Sequence, residues 1–124
     1  MGSGCVLIID DESFVRAVAK GMLEAMGFTA LAAEDGAEGL RSYRENRERV
    51  VLVILDLTMP RMDGEETLRR LRALDPGVRV IMTSGYSEQE ATGRFAGDSV
   101  VGYIQKPFTL DDLTAQVRAA LTRA

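Results

Sequence analysis

Six consecutive apolar residues, Val50-Val51-Leu52-Val53-Ile54-Leu55, lie near the middle of the chain and are followed at once by Asp56. Most of them are β-branched and no polar residue alternates with them, so we predict a strand that is buried on both faces. Such strands are typical of parallel sheets that are covered by helices. The aspartate would then lie at the carboxyl edge of the sheet, where such folds bind their ligands.

Apolar runs of strand length alternate with amphipathic stretches of helical spacing on both sides of this segment. The predicted strands are Cys5–Ile9, Thr29–Ala33, Val50–Leu55, Val78–Thr83 and Val100–Gln105. The predicted helices are Ser13–Met26 with Gly27 as its cap, a helix containing Ala37, Leu40 and Tyr43, then Glu65–Leu74, a weak helix over Glu88–Phe95, and Thr109–Leu121. Five β-then-α units with right-handed crossovers predict an α/β, doubly wound (βα)5 fold, with a five-stranded parallel sheet in order 2-1-3-4-5.

Each helix has a stripe of apolar residues that we expect to face the sheet, although the stripe of the weak helix is thin and consists of Ala91 and Phe95. The stripes are Val15, Val18, Ala19, Met22 and Met26 on the first helix, Ala37, Leu40 and Tyr43 on the second, Leu68 and Leu71 on the third, and Leu110, Leu113, Val117 and Leu121 on the last.

The composition is that of one soluble globular domain, since 46% of the 124 residues are hydrophobic and 27% are charged. The absence of His excludes His-based catalysis and His metal ligands, and the single Cys excludes disulfide scaffolds and thiolate zinc sites. A net charge of −4 argues against direct nucleic-acid binding. We see no membrane-spanning run or secretion signal, and expect a cytoplasmic domain without membrane contact. We expect it to cover residues 5–124, with residues 1–4 either a remnant of cloning or a disordered start.

The ends of the predicted strands carry the residues that should decide function. Asp10 and Asp11 follow the first strand, Asp56 the third, Thr83-Ser84-Gly85 the fourth and Lys106 the fifth. Three carboxylates at one edge repel one another unless a cation is present, and oxygen ligands suit Mg²⁺ (or Mn²⁺). A carboxylate beside such an ion can also act as the nucleophile that accepts a phosphoryl group.

Each of these residues alone has a simpler interpretation. Asp11 or Glu12 could cap the first helix, and Asp56 could be an ordinary loop carboxylate. Ser84 could be a turn hydroxyl and Lys106 a solvated lysine. Their coincidence at one edge of a parallel sheet favours a functional site.

The chain resembles the response-regulator receiver domains of two-component signalling, in particular those at the C-terminus of hybrid sensor histidine kinases. The matching segments, which span essentially the whole chain in the family's order, are Ile9–Glu12, Leu55–Gly64, Thr83–Tyr86 and Gly102–Phe108. The resemblance implies a flavodoxin-like fold. It also implies a partner, either a histidine kinase or a histidine phosphotransfer domain, whose phosphohistidine donates a phosphoryl group to this chain.

The resemblance also implies a role for each residue of the site. Asp56 is the phosphoacceptor and a metal ligand. Asp11 is a direct Mg²⁺ ligand, Asp10 holds the ion mostly through water, and the backbone carbonyl of Thr58 is the third protein ligand. Ser84 and Lys106 bind the phosphoryl oxygens, and Lys106 pairs with Asp56 in the free state.

Further roles fall on residues around the site. By resemblance, Tyr103 is an aromatic switch that turns inward when Ser84 moves, and Thr58 and Tyr86 flank the site and tune the lifetime of the phosphoryl group. The Lys106–Pro107 peptide bond is expected to be cis.

Phe14 points roughly 90–100° away from the apolar stripe of its helix at 100° per residue. We therefore expect it to be partly exposed beside the acidic site, and hypothesise that it contacts the phosphohistidine donor. A lone surface aromatic residue is the alternative.

These expectations describe a Mg²⁺-dependent phosphoacceptor switch that catalyses its own phosphorylation on Asp56 and its own slow dephosphorylation. In a hybrid histidine kinase, the full-length chain would also be a protein-histidine kinase. The alternative is a receiver-like interaction module that works without phosphorylation. A phosphatase of the haloacid dehalogenase type is a rival function, but it would need a second Asp where Thr58 stands. Flavodoxin-like FMN binding is another rival, but Asp10-Asp11-Glu12 would repel the phosphate of FMN.

Overall fold

Five strands and four helices form the part of the chain that the computed structural model describes, namely residues 4–57, 64–85 and 100–122. In chain order they are β1 (Cys5–Ile9), α1 (Ser13–Ala25), β2 (Thr29–Ala33), α2 (Gly36–Asn46), β3 (Val50–Asp56), α3 (Gly64–Leu74), β4 (Val80–Ser84), β5 (Val100–Gln105) and α4 (Leu110–Thr122). The predicted helix over Glu88–Phe95 lies outside the described residues.

The strands form one parallel sheet in the order β2-β1-β3-β4-β5, which confirms the predicted doubly wound topology. From β1 the chain first adds β2 on one side of the sheet, and then crosses back to add β3, β4 and β5 on the other side. The topological switch point therefore lies between the carboxyl ends of β1 and β3. The register pairs Asp56 of β3 with Thr83 of β4. Residues just beyond these positions therefore meet at one edge of the sheet.

The core consists of two layers, one on each face of the sheet. Alternate residues of β1 and β3 divide between the layers, as pleating requires: Leu7 and Val53 face α2 and α3, and Ile8 and Ile54 face α1 and α4. All four of these side chains are at most 3% exposed. From Leu52 to Asp56, β3 is buried on both faces, as its unbroken apolar sequence predicts. At its start, Val50 is only partly buried and Val51 is 37% exposed, so the prediction is wrong there.

Four details differ from the sequence expectation, three in the inward stripes of the helices and one in the start of a strand. Ala37 is exposed, because α2 instead packs through Gly36, Gly39, Leu40 and Tyr43. Leu110 is 46% exposed, since it is the first residue of α4 and lies outside the buried stripe formed by Leu113, Val117 and Ala120. Leu23, which was not assigned to the stripe of α1, is fully buried. Finally, β4 begins at Val80, because the amide of Val78 is bonded to the Asp75 carbonyl in the preceding turn (3.0 Å).

Gly27 ends α1 in the way that glycine ends many helices. Its φ of 97° lies in the left-handed region, which side chains disfavour. The Gly27 amide donates to the Glu24 carbonyl and the Phe28 amide to the Leu23 carbonyl, both at 3.0 Å. This pair of bonds is the Schellman motif, which satisfies carbonyls at the end of a helix. The turn directs the chain into β2, beside β1.

The helices that the structure describes include none long and apolar enough to cross a membrane.

Candidate phosphoacceptor and metal site

Backbone hydrogen bonds bring the carboxyl ends of the strands together. The amide of Leu57 donates to the Thr83 carbonyl at 2.9 Å, and the amide of Lys106 donates to the Ser84 carbonyl at 2.7 Å. These bonds fix the residues that follow β3 and β5 against the end of β4. The side chains of Asp56, Ser84 and Lys106 are therefore held at one edge by the sheet itself.

Four carboxylates converge at this edge. Asp10, Asp11, Glu12 and Asp56 each offer an oxygen, and these oxygens all lie within 4.8 Å of one another. Asp10 and Asp56 are 2% and 1% exposed, whereas Asp11 and Glu12 are open to solvent. The structure thus brings together the three predicted aspartates and adds a glutamate that the sequence analysis considered only as a helix cap.

Glu12 does occupy the N-cap position of α1, but its side chain makes no capping hydrogen bond. Its backbone amide donates to Oδ1 of Asp10 at 2.9 Å, and its carboxylate instead reaches Lys106. The capping interpretation is therefore wrong for Glu12. The adjacency of Glu12 to the Asp10-Asp11 pair was the one sequence feature that could have identified it as part of the site.

Lys106 is shared among three carboxylates. Its Nζ lies 2.9 Å from Oδ2 of Asp10, 3.2 Å from Oε1 of Glu12 and 3.5 Å from Oδ2 of Asp56. Burial by itself would lower the pKa of Lys106, but the hydrogen bond to Asp10 and the charge of Asp56 outweigh it and raise the pKa above its ordinary value. The expected pairing with Asp56 is the longest of the three contacts, and Asp10 is the nearest partner.

Arg16 is a second residue that the sequence analysis missed. Its Nη1 donates to the backbone carbonyl of Asp10 at 2.8 Å. Together with the bond from the Glu12 amide, this contact fixes Asp10 at both its carbonyl and its side chain. No sequence motif identifies this role, because an arginine on the first turns of a helix is common.

Ser84 and Tyr103 form a buried hydroxyl pair. Ser84 Oγ lies 2.7 Å from the Tyr103 hydroxyl, and either atom can be the donor. Ser84 is fully buried and Tyr103 is 8% exposed, so the tyrosine ring lies inward in this structure. The ring packs in the same core layer as Leu55 and Met82.

Phe14 projects from the first turn of α1 and is 77% exposed, as expected. It borders a groove of about 380 Å³ between α1 and the segment that follows β5. Val15 and Val18 line one side of this groove, and Pro107 and Phe108 line the other. The Lys106–Pro107 bond is cis, as expected.

Two predicted site residues, Thr58 and Tyr86, lie outside the described residues. The third protein ligand proposed for the metal, the Thr58 carbonyl, and both lifetime-tuning positions therefore stay predictions.

The residues present fit a hard divalent cation. Carboxylate oxygens are the protein ligands that Mg²⁺ prefers, and it usually uses one or two of them together with water. The cluster supplies four such groups, two buried and two open to solvent, so an ion there could keep some of its water. Its charge would offset the repulsion among the carboxylates, which Lys106 alone only partly neutralises.

The curated relatives of the chain include a sensor kinase, a transcriptional regulatory protein and a chemotaxis protein. The chain is 35% identical over 98% of its length to the sensor kinase CckA of Brucella abortus, but spans only 13% of that protein. It is 41% identical to the transcriptional regulatory protein PrrA of Mycobacterium tuberculosis, of which it spans 50%. It is 33% identical to the chemotaxis protein CheY of Bacillus subtilis over 94% of its own length and 96% of CheY.

Solved structures of similar chains share the same architecture. A response regulator receiver domain protein from Clostridium thermocellum is 32% identical and superposes with a TM-score of 0.88, covering 97% of this chain and 95% of that one. The receiver domain of the hybrid histidine kinase CckA is also 32% identical, with a TM-score of 0.81 over 96% of this chain and all of that one.

The model of the response regulator receiver domain family matches residues 6–118. This range contains every residue of the acidic cluster and all of the sheet except Cys5. The chain therefore belongs to the response regulator receiver domain family of two-component signalling.

Proposed function

We propose that residues 5–124 form a Mg²⁺-dependent phosphoacceptor switch, which takes a phosphoryl group from a partner's phosphohistidine onto Asp56 and slowly hydrolyses it. The observation that carries this proposal is the placement of Asp56. Its carboxylate is 1% exposed at the end of β3, within a cluster of three further carboxylates, and 3.5 Å from the Lys106 ammonium. A buried carboxylate that only stabilised the fold would not need three others beside it.

The chemistry is an in-line transfer. An Asp56 carboxylate oxygen attacks phosphorus, so that a new P–O bond forms while the P–N bond to the donor's imidazole breaks and the imidazole leaves with the electron pair. The product is an acyl phosphate. Attack of water on phosphorus returns the Asp56 carboxylate and releases inorganic phosphate.

Lys106 and Ser84 supply donors for the phosphoryl oxygens. Lys106 is already within ion-pair distance of Asp56, so a short movement of its flexible side chain brings it to a phosphoryl oxygen. Ser84 is the residue after Thr83, which pairs with Asp56 across the sheet. Its hydroxyl can donate to a phosphoryl oxygen while it accepts a hydrogen bond from Tyr103.

Asp10, Asp11 and Asp56, with the Thr58 carbonyl, would hold the Mg²⁺ ion. When bound, the ion neutralises the developing charge on the phosphoryl oxygens. Receiver domains generally bind Mg²⁺. One similar solved structure is a CheX–CheY–BeF3–Mg²⁺ complex from Borrelia burgdorferi. Its matching chain is 27% identical to this one, with a TM-score of 0.84 over 97% of this chain and 90% of that one.

The Ser84–Tyr103 hydroxyl pair couples the site to the surface. Phosphorylation adds roughly −1.5 to −2 charges and strong acceptors beside Ser84. Ser84 then has to satisfy both a phosphoryl oxygen and Tyr103, and the inward position of the tyrosine allows it to do so. We propose that phosphorylation stabilises this inward position relative to an outward one.

The groove beside Phe14 is the proposed contact with the phosphohistidine donor. It adjoins the acidic site through Glu12 and Lys106, and its floor is apolar. We expect Phe14→Ala to slow phosphotransfer from a histidine phosphotransfer domain without slowing labelling by acetyl phosphate. Leu110→Ala is the matched control, because it removes the other strongly exposed apolar side chain of a described helix and should affect neither reaction. Equal phosphotransfer rates in the two variants would contradict the assignment.

We also propose a cytoplasmic location and an origin in a hybrid histidine kinase, whose full-length chain would be a protein-histidine kinase. The match to the Brucella sensor kinase supports this origin. The matches to CheY and PrrA support the alternative origin, a free-standing regulator.

Intact-mass spectrometry after incubation with acetyl phosphate tests the proposed function. With Mg²⁺ present, we expect the wild type to gain the mass of one phosphoryl group. We expect no gain in mass for the wild type with a chelator, or for Asp56→Asn with Mg²⁺. Asp111→Asn is the control, since Asp111 is an exposed carboxylate of α4 outside the cluster, and it should be labelled like the wild type. Absence of labelling in the wild type, and of beryllofluoride binding, would favour an interaction module that works without phosphorylation.

A further inference from the structure

Lys106 has more partners than the proposed function uses. An ammonium group has three N–H donors, and the three carboxylates around Lys106 are Asp10 at 2.9 Å, Glu12 at 3.2 Å and Asp56 at 3.5 Å. The proposed function gives Asp10 to the metal and Lys106 to the phosphoryl group on Asp56. It gives no role to Glu12, although Glu12 makes the second shortest of these contacts.

The contact between Asp10 and Lys106 conflicts with metal binding. Oδ2 of Asp10 is 2.9 Å from the lysine, and Oδ1 accepts from the Glu12 amide at 2.9 Å. A divalent cation held by Asp10 would repel the ammonium that lies 2.9 Å from the same carboxylate, and this repulsion weakens the contact between Asp10 and Lys106. The lysine then shifts towards its other two partners, Glu12 and Asp56.

Glu12 is suited to receive the lysine. Its side chain is 58% exposed, so it can follow the lysine outward, and it makes no capping bond that would hold it back. Its backbone is fixed to Asp10, which keeps the glutamate beside the lysine throughout.

We propose that Glu12 is a positioning residue that competes with Asp10 and Asp56 for Lys106. Glu12 draws the lysine off Asp10, which favours metal binding. It also competes with the phosphoryl group for the lysine, which slows phosphorylation. This inference rests on the proposed function of Asp56 and concerns the lysine within it.

Removing the charge of Glu12 therefore has two effects of opposite sign. In Glu12→Gln, Lys106 stays longer on Asp10 and the cluster has one negative charge fewer, so Mg²⁺ binds about two- to fivefold more weakly, the range of an exposed ion pair. At saturating Mg²⁺ the lysine is no longer held by Glu12, and labelling by acetyl phosphate becomes about two- to fivefold faster. Glu24→Gln is the control, since it removes the same charge from the exposed far end of α1 and should change neither quantity.

A general loss of negative charge could also speed the reaction of an anionic donor. The double-mutant cycle with Lys106→Met separates the two causes. If Glu12 acts through the lysine, Glu12→Gln accelerates labelling only when Lys106 is present. Acceleration of the same size in the Lys106→Met background would overturn the proposal.

The experiment consists of calorimetric titration with Mg²⁺ in the absence of a phosphodonor, NMR of the lysine ammonium groups, and labelling rates by intact-mass spectrometry. With Mg²⁺ bound, we expect the Lys106 ammonium resonance to shift between the wild type and Glu12→Gln, because the lysine loses its Glu12 partner. Unchanged Mg²⁺ affinity, an unchanged resonance or an unchanged labelling rate in Glu12→Gln would overturn the proposal. If the wild type itself is not labelled, the proposed function fails and this inference fails with it; if only the Glu12 effects are missing, the proposed function stands.

Discussion

The approach of α3 to the end of β3 leaves no room for a side chain at Gly64. A Cβ atom built on Gly64 would lie 2.6 Å from Cα of Leu57, 2.7 Å from the Asp56 carbonyl oxygen and 2.9 Å from the Leu57 carbonyl oxygen. All three are backbone atoms, which no change of rotamer can move aside. We therefore predict that Gly64→Ala forces the start of α3 away from the residues that carry the phosphoacceptor.

The size of the effect follows from these distances. Restoring an ordinary contact of 3.4 Å from 2.6 Å needs a displacement of about 0.8 Å. The same movement strains the hydrogen bond from the Gly64 amide to the Leu57 carbonyl, now 3.1 Å. Overpacking of a buried site costs about 1–3 kcal/mol, and the higher helix propensity of Ala offsets up to about 1 kcal/mol of this. We expect a net loss of about 1–2 kcal/mol in the free energy of unfolding.

Urea unfolding followed by far-ultraviolet circular dichroism measures this loss, since the chain has no Trp for fluorescence. With a typical slope for a small protein, the midpoint should fall by about 1 M. Gly21→Ala is the matched control, because Gly21 is exposed in the middle of α1 and a Cβ there meets nothing within 4 Å. That variant should gain about 0.5–1 kcal/mol from helix propensity alone.

Opposite shifts of the two midpoints are the expected result. Gly64→Ala should also be labelled more slowly by acetyl phosphate at equal folded fraction, because Asp56 is displaced from the other carboxylates. A Gly64→Ala protein that unfolds at or above the wild-type midpoint would refute the steric argument.

Two further predictions concern stability. Leu113→Ala should lower the free energy of unfolding by about 2–5 kcal/mol, because the side chain is fully buried. The control Leu110→Ala should stay within about 0.5 kcal/mol of the wild type. Similar urea midpoints for the two variants would contradict the assignment of the inward face of α4. Tyr43→Phe removes the 2.7 Å hydrogen bond from the buried Tyr43 hydroxyl to Asp75 and should cost about 1 kcal/mol at neutral pH. The hydrogen bonds from Tyr43 and from the Gly77 amide hold the pKa of Asp75 below its ordinary value. The stabilisation by the Tyr43 bond is therefore fully present above the unfolded-state pKa of Asp75. It is lost as the pH falls through the lower pKa of the folded state. The difference between wild type and Tyr43→Phe should therefore shrink in acid, and a difference in urea midpoint that stays constant down to low pH would argue against this bond as its source.

The sheet order could be predicted because strand-length apolar runs alternate with amphipathic helices along the chain. The limits of β1, β2 and β5 match the prediction, although only β1 of the three is buried throughout. The helix faces were harder. Ala37 is too small for its hydrophobicity to decide its side, and α2 instead buries Gly36, Gly39, Leu40 and Tyr43. At the start of α4, the Thr109 amide donates to the Asp112 side chain and the Asp112 amide donates to the Thr109 hydroxyl. Leu110 directly follows this capping residue, so it lies on the first turn of the helix and is exposed.

The candidate site was also predictable only in part. Parallel strands place their carboxyl ends at one edge whatever the details, so the convergence of Asp10, Asp11 and Asp56 could be predicted from strand order alone. The contacts of Glu12 and Arg16 depend on the rotamers of long side chains on the first turn of a helix. Sequence spacing does not encode these rotamers, and the preference of Lys106 for Asp10 over Asp56 was missed for the same reason.

Direct mapping of the phosphoryl group tests the central claim. The protein is incubated with acetyl phosphate and Mg²⁺, reduced with borohydride, which converts an aspartyl phosphate to homoserine, and digested for peptide sequencing by mass spectrometry. We expect homoserine at position 56 and at no other aspartate, and none when Mg²⁺ is chelated. Homoserine at position 10 or 11 instead, or at position 56 to the same extent without Mg²⁺, would contradict the proposed roles of these carboxylates.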